Sequence, residues 1–230
     1  ATSVGVSAYT FGSLYPPDTL TLLSPRYAPP PPPPDHPDAI AHAQAIEDQL
    51  HSLPLLKKLR SAPDADDWYE TRPYTSVPEH LRVHHLTSGA LRAPGRLAVA
   101  PLVRAKKDES ENVIIIHIGR GLCSHDGIVH GGLLATLLDE AFSRQAVLNL
   151  PKMIGVTANL SLNYRAPTRA DQFIVIKTKL DELKGRKVRV SGTVEDVNGT
   201  VLVDANALII EPRYASLVNS TLIREVLGQP

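Results

Sequence analysis

The chain has 230 residues, 43% of them hydrophobic, with 24 Lys+Arg set against 24 Asp+Glu for a formal net charge of zero. That length supports one domain with a proper core and some chain left over, and the charge balance argues against a nucleic-acid partner held by bulk electrostatics. A single cysteine, Cys123, excludes an internal disulfide, and no run of about 18 apolar residues is present to span a bilayer.

Residues 1 to 37 read as an extended arm. Pro29 to Pro34 is unbroken proline, flanked by Pro16, Pro17, Pro25 and Pro37, a composition that favours a stiff polyproline II spacer over a packed domain. Residues 38 to 95 read as a helical and irregular extension packing on the core. Ile40, Ala43, Ile46, Leu50 and Leu53 recur at helical spacing, and Pro54 kinks or splits that helix. Beyond Pro63 only turns and a short helix are expected, with Trp68, Tyr69 and Tyr74 as anchors onto the core.

From residue 96 the pattern turns to strands. Leu97 to Val103 is strand-like, with Pro101 marking an edge or a bulge. A charged turn at Lys106 to Glu111 leads into the β-branched run Val113 to Ile118, which reads as a buried strand. A loop from Gly119 to Gly127 precedes a helix over about His130 to Leu148. Its apolar residues surround most of the circumference, so the helix is expected to be enclosed. Four further strands follow: Val156 to Tyr164 in unbroken alternation, Phe173 to Leu180, Lys187 to Val197, and Val201 to Ile210 after an Asn198-Gly199 turn. Two strands, one enclosed helix and four strands point to an α+β fold, with an antiparallel sheet wrapped around a central helix. Residues 213 to 230 form a tail with a short helix at Ser216 to Leu227.

The densest chemistry lies at Ile128 to Glu140. His130-Gly131-Gly132 stands at the mouth of the helix, where two residues without Cβ atoms allow close backbone approach. The free N–H groups of a helix's first turn form an electropositive cradle. Asp139 follows His130 by nine residues in an otherwise apolar run, where a carboxylate is costly unless paired or working. An oxyanion cradle with an interior acid suggests acyl chemistry. Donors aimed at a developing oxyanion supply about 3–4 kcal/mol of transition-state stabilisation. Adjacent Glu140 points ~100° away from Asp139 on the helix and is the lesser candidate for the acid. Thr157 falls on the polar face of its strand with Asn159, Ser161 and Asn163. Cys123, His125, Asp126 and His130 cluster in sequence, but their spacing fits no compact zinc pattern, and no metal is expected.

Three motifs carry a family resemblance: Gly127-x-x-His130-Gly131-Gly132 with Asp139; Thr157-Ala158-Asn159-Leu160-Ser161-Leu162-Asn163-Tyr164-Arg165-x-Pro167; and Gly185-Arg186-Lys187 opening a strand. In that order and spacing, over residues 96 to 212, the chain resembles the hotdog-fold acyl-CoA thioesterases, in their PaaI-like and THEM-like branch. The resemblance implies the hotdog fold, a homodimer or dimer of dimers, and active sites formed at the dimer interface. It implies that Asp139 is general base or nucleophile and that the Gly131 N–H polarises the thioester carbonyl. His130 shapes the turn, and Thr157 holds the water or the acid of the partner's site. Gly132 and Asn159 would contact substrate, while Arg165, Arg186 and Lys187 form a basic set suited to coenzyme A phosphates. One departure is Ser124, where many relatives carry Asn six residues before the His.

The implied reaction converts an acyl-CoA to free acid and coenzyme A, with no cofactor beyond the coenzyme A of the substrate. The alternatives are a carrier-protein thioester as substrate, an acyl-CoA hydratase, or a non-catalytic acyl-binding or regulatory protein. The His-to-Asp offset disfavours the hydratase. The chain opens on Ala1 instead of Met, so it reads as a processed or truncated product, compatible with a removed leader or membrane tether. The expected location is intracellular, either mitochondrial or membrane-associated, with the cytoplasm as the alternative.

Overall fold

A computed structural model describes residues 31–125, 127–213, 215 and 221–229, together with Gly5. Most of the expected proline-rich arm, Asp126, and residues 216–220 of the expected tail helix lie outside the described residues.

The extension begins with two helices, α1 (Pro37–Ser52) and α2 (Pro54–Arg60). His36 caps α1, its ring nitrogen accepting from the Asp38 N–H at 3.2 Å. Leu53 takes ψ 126°, the extended conformation favoured before a proline, so the expected kink at Pro54 is a clean break. Ile46, Leu50 and Leu56 pack with Leu102, Ile115 and Phe173, which places α1 and α2 on the outer face of the sheet. An ion-pair clamp adds to this contact. Glu70 receives Arg60 at 2.6 Å and Arg104 at 2.5 Å. Those hydrogen bonds, Arg60's foremost, hold its carboxyl down at about 2.

The segment after α2 holds a strand that periodicity does not reveal. Strand β1 (Trp68–Thr71) pairs antiparallel with β2 (Leu102–Lys106). Four residues are too few to show alternation. Between them run a short helix α3 (Glu79–Arg82) and one wide helical turn at Leu86–Ala90. Strand β2 begins just after Pro101, so the expected strand at 97–103 shifts toward the C-terminus, past the residue that cannot donate to a ladder.

Strand β3 (Glu111–Ile118) is buried on both faces: Ile114, Ile116 and Ile118 join the main core, and Ile115 the outer cluster. A small ribbon of β4 (Cys123–His125) and β5 (Ile128–Val129) leads to the central helix α4 (Gly131–Asn149). Then come β6 (Val156–Tyr164), β7 (Gln172–Lys184), β8 (Lys187–Asp196), β9 (Val201–Ile210) and the terminal helix α5 (Thr221–Leu227). The seven long strands form one antiparallel sheet in the order β1-β2-β3-β7-β8-β9-β6. It curls around α4, as a hotdog fold does, with Leu134, Leu138, Phe142 and Ala146 in the common core. Gly192 on β8 makes the close approach possible, since a Cβ there would lie 2.9 Å from the Phe142 ring and 2.3 Å from the Lys177 carbonyl oxygen.

The enclosure of α4 is incomplete. Leu133, Leu134, Leu137, Leu138, Ala141 and Phe142 are buried, whereas Gly132, Thr136, Asp139 and Ser143 form a stripe that the chain's own sheet leaves partly open. Asp139 therefore stands on the uncovered flank beside the edge strand β6, and the expected interior position is corrected to that extent. The buried polar residues Arg144 and Gln145 were not expected in the core. Both bond to the β2–β3 turn, where Glu109 adopts φ 56°.

Candidate active site

Asp139 and Thr157 meet. Thr157 Oγ1 donates to Asp139 Oδ1 at 2.7 Å, and Ser143 Oγ lies 3.5 Å from the same hydroxyl. The contact is made within one chain, between Thr157 and that chain's own Asp139. It also depends on a feature that alternation hides. The register of β6 against β9 runs Val156↔Ile210, Thr157↔Ile209, then Asn159↔Leu208, leaving Ala158 without an opposite residue. This β-bulge shifts the face assignment by one residue. Thr157 then shares its side with buried Ile209, as Leu160 does with Ala207 and Leu162 with Ala205. Thr157 thus points at the helix, and the expected grouping of Thr157 with Asn159 and Ser161 is overturned.

The helix mouth is fixed from two sides. His130 is the N-cap, and its Nδ1 accepts from the Gly132 N–H at 2.9 Å. Gly132 therefore has its N–H engaged, which withdraws it as an oxyanion donor. The Gly131 N–H has no hydrogen-bond acceptor among the described residues. Tyr164 Oη donates to the Gly131 carbonyl at 2.9 Å, and its ring lies 3.3 Å from where a Gly131 Cβ would stand. Tyr164 thus orients the peptide that follows Gly131 and packs closely against it. It was not among the expected site residues, although its place in the alternating strand put it on the core side.

The expected basic set divides. Thr157, Ile209 and Val188 are in register across β6, β9 and β8, so Lys187 lies roughly 10 Å, two strand spacings, from Thr157. Around it stand Arg186, Lys184 and Arg189, the last two not expected. Arg186 Nη1 donates to the Glu211 carbonyl at 3.0 Å, which anchors it at this corner. Arg165 is elsewhere: it follows the opposite end of β6, roughly 25 Å along the strand, and forms an ion pair with Asp204. Arg165 is therefore not brought together with Arg186 and Lys187. Asn159 is exposed on the outer face, in register with Leu208 and Arg189, and does not face Asp139.

Glu140 takes the opposite wall. Thr87 Oγ1 donates to it at 2.5 Å, and burial raises its pKa against the opposing effects of Thr87 and His85. Among the described residues no three His, Cys, Asp or Glu side chains converge as a metal site, and Asp126 lies outside them.

The thioesterase superfamily profile matches residues 126–203 of the chain. UPF0644 protein PB2B4.06 of Schizosaccharomyces pombe is 32% identical over 183 residues, covering 77% of this chain and 69% of that protein. The uncharacterized mitochondrial membrane protein FMP10 of Saccharomyces cerevisiae is 28% identical over 173 residues, covering 74% and 67%. The acyl-coenzyme A thioesterase THEM4 of Mus musculus is 31% identical over 106 residues, covering 46% of this chain and 45% of that protein, so the match spans under half of THEM4. The profile falls on the helix mouth, α4 and the strands that curl around it, and with these relatives the chain belongs to the hotdog-fold thioesterase superfamily.

Proposed function

We propose that this protein hydrolyses an acyl-CoA thioester to a free carboxylic acid and coenzyme A, with Asp139 as the acid–base or nucleophilic group. The observation that carries this reading is the Thr157–Asp139 hydrogen bond on the open stripe of α4. It orients a carboxylate on the flank where a second molecule has access. The Gly131 N–H, free of a described acceptor, is the proposed donor to the thioester oxygen.

These two groups cannot serve one carbonyl from the same helix. Eight residues of helix separate Gly131 from Asp139, about 12 Å of rise. A donor and a base acting on one carbonyl group each lie about 3 Å from reacting atoms. The proposed site therefore pairs Asp139 of one copy with the helix mouth of another, so that a homodimer holds two sites. A dimer of dimers is compatible with the same pairing.

In this reading the Gly131 N–H polarises the carbonyl. Asp139 either takes a proton from water as that water attacks the carbonyl carbon, or attacks it directly to give a mixed anhydride. In either case the carbon–sulfur bond breaks, and coenzyme A leaves as thiolate and takes up a proton; in the second, water then hydrolyses the anhydride, releasing the acid and restoring the Asp139 carboxylate. Arg186 and Lys187, with Lys184 and Arg189 beside them, are proposed to hold the nucleotide phosphates. Coenzyme A belongs to the substrate, and no further cofactor is invoked. A mitochondrial location is proposed from the name of the yeast relative FMP10. Among the described residues, no helix is long and apolar enough to cross a membrane.

The test is thiol release from a panel of acyl-CoAs of graded chain length and of aryl-CoAs. Turnover of at least one class is expected, lost in Asp139→Asn. Absence of thiol release from every member would leave the carrier-protein and non-catalytic alternatives. Persistent turnover in Asp139→Asn would remove the assigned acid.

A further inference from the structure

On the flank of α4 away from Asp139, a cavity of about 80 Å³ lies between the sheet and the N-terminal extension. Its floor is apolar: Val103, Ile114, Ile116 and Ile176 from the sheet, Leu137 and Ala141 from the helix. Its roof comes from residues 73–101 and includes Tyr74, Thr87, Arg82 and Arg92. A wider groove of about 660 Å³ opens outward beside α1. Thr75, Arg82, Arg92 and Ala100 belong to the walls of both, so two guanidinium groups stand where the groove narrows to the cavity.

Neither arginine is neutralised among the described residues. Arg82 Nε is buried with no hydrogen-bond partner. Arg92 has no ion pair, and the nearest acid, Glu47, is already engaged by Arg72 and His51. Burial, and after it the charges of Arg82 and Arg72, lowers the Arg92 pKa. Ser88 Oγ, also in the cavity wall, is buried without a partner. Buried charge and orphaned donors are costly. Elsewhere the protein pairs its buried arginines: Arg104 on Glu70 and Arg144 on Glu109.

We propose that Arg82 and Arg92 bind the carboxylate of a short, unbranched monoacid whose tail enters the apolar cavity beyond them. The planar guanidinium fork matches a carboxylate's two oxygens, and two of them accommodate one head group. The enclosed volume holds only a few water-sized groups, which limits the tail to a few carbons. Glu140 in the cavity wall disfavours a second carboxylate at the far end. Ile40, Ala43, Ala98 and Val99 line the groove, giving the mouth apolar surroundings. This site is separate from the thioester site proposed above: Asp139 faces β6, whereas the cavity lies against β2, β3 and β7.

Titration calorimetry of the full chain with hexanoate tests this. Saturable binding is expected, with hexanol and adipate each weaker by about tenfold or more, the scale of a lost or opposed charge-assisted pair. Arg82→Gln and Arg92→Gln should each weaken hexanoate binding by about tenfold, whereas Asp139→Asn leaves it unchanged. An independent readout is melting in the absence of ligand. Arg92→Gln removes an unpaired, partly buried cation, so its melting temperature should rise, while the further rise caused by hexanoate shrinks. Four outcomes overturn the proposal: no saturable binding of hexanoate, equal affinity for hexanol, unchanged affinity in both arginine variants, or binding abolished by Asp139→Asn.

Discussion

Asp139 and Glu140 are consecutive carboxylates on one helix, yet they belong to two different regions of the molecule. Asp139 faces β6, the edge strand, on a stripe shared with Gly132, Thr136 and Ser143. Its described partner is a single hydroxyl, and it remains half-buried. Glu140 faces the β2–β3–β7 flank, under the roof supplied by residues 73–101. One turn further on, Arg144 continues that flank in a saturated network: Glu109 at 3.2 Å, Asn112 at 3.1 Å, Tyr69 Oη at 2.8 Å and the Leu227 carbonyl at 3.1 Å. Burial pushes the Tyr69 hydroxyl up to about 12, keeping it a donor and acceptor at neutral pH. Around Arg144 the closed flank spends its polar groups on one another and fixes the fold. The open flank keeps a carboxylate oriented with little else around it, as a reacting group requires.

The sharpest way to break this comparison is to remove one polar group from each flank. Arg144→Ala strands the buried Glu109 carboxylate and should cost about 3–5 kcal/mol of stability. Asp139→Asn should lower thioester turnover by about 10²–10⁴, the usual contribution of a positioned acid or base, while changing stability by no more than about 0.5 kcal/mol. Urea unfolding and thiol release on both variants read the contrast. A large stability loss in Asp139→Asn, or a negligible one in Arg144→Ala, would dissolve the distinction between the flanks.

The next effect concerns how the open flank is built. Thr157→Val removes the hydroxyl from Asp139 in a nearly isosteric side chain. A hydrogen bond to a charged group contributes about 1.5–3 kcal/mol, so turnover should fall about 10- to 100-fold with the protein still folded. Deleting Ala158 removes the bulge but leaves Thr157 opposite Ile209 and Asn159 opposite Leu208, so Thr157 stays on the helix side. Turnover should then fall less far than in Thr157→Val, because the hydroxyl stays on the side of the acid. A loss as deep as that of Thr157→Val would mean that the bulge itself positions the acid's partner.

That bulge also explains which parts of the site could be read in advance. The helix from His130 and the strands at 156–164 and 201–210 follow from periodicity, and a role for Thr157 beside water or an acid from the family resemblance. The side on which Thr157 lies does not. Val156 to Tyr164 alternates without a break, and only pairing with β9 shows that Ala158 is the extra residue. Arg144 and Gln145 were illegible for a related reason. Polar residues on a helix read as solvent-facing unless their partners are known, and those partners come from the β2–β3 turn some 35 residues earlier. Strand β1 was hidden by its length of four residues. The basic set was half legible. Gly185-Arg186-Lys187 marks a real corner, but sequence cannot tell that Arg165 lies at the far end of its strand, already paired.

The smallest effect isolates Glu140 itself. Burial raises its pKa in the folded protein, with Thr87 and His85 opposing the shift and Asp139 adding to it. A carboxyl whose folded pKa exceeds its unfolded one favours the native state most when protonated. Its contribution is fully present below the unfolded value, and it is lost as pH rises through the folded one. At neutral pH the ionised Glu140 is therefore a net cost, and Glu140→Gln keeps an acceptor for Thr87 without the charge. The variant should be more stable than the parent by about 1 kcal/mol at pH 7.5, the usual scale for a single substitution. The two should converge as pH falls below the ordinary carboxylate range. Melting temperatures of both proteins across that interval give the test. Parallel curves would show that Glu140 does not titrate differently on folding, and the closed flank would then be closed by packing alone. Because Glu140 lines the cavity and not the Asp139 stripe, the same substitution should leave thioester turnover within a factor of about two. A large loss of turnover would mean that the two faces of α4 work as one.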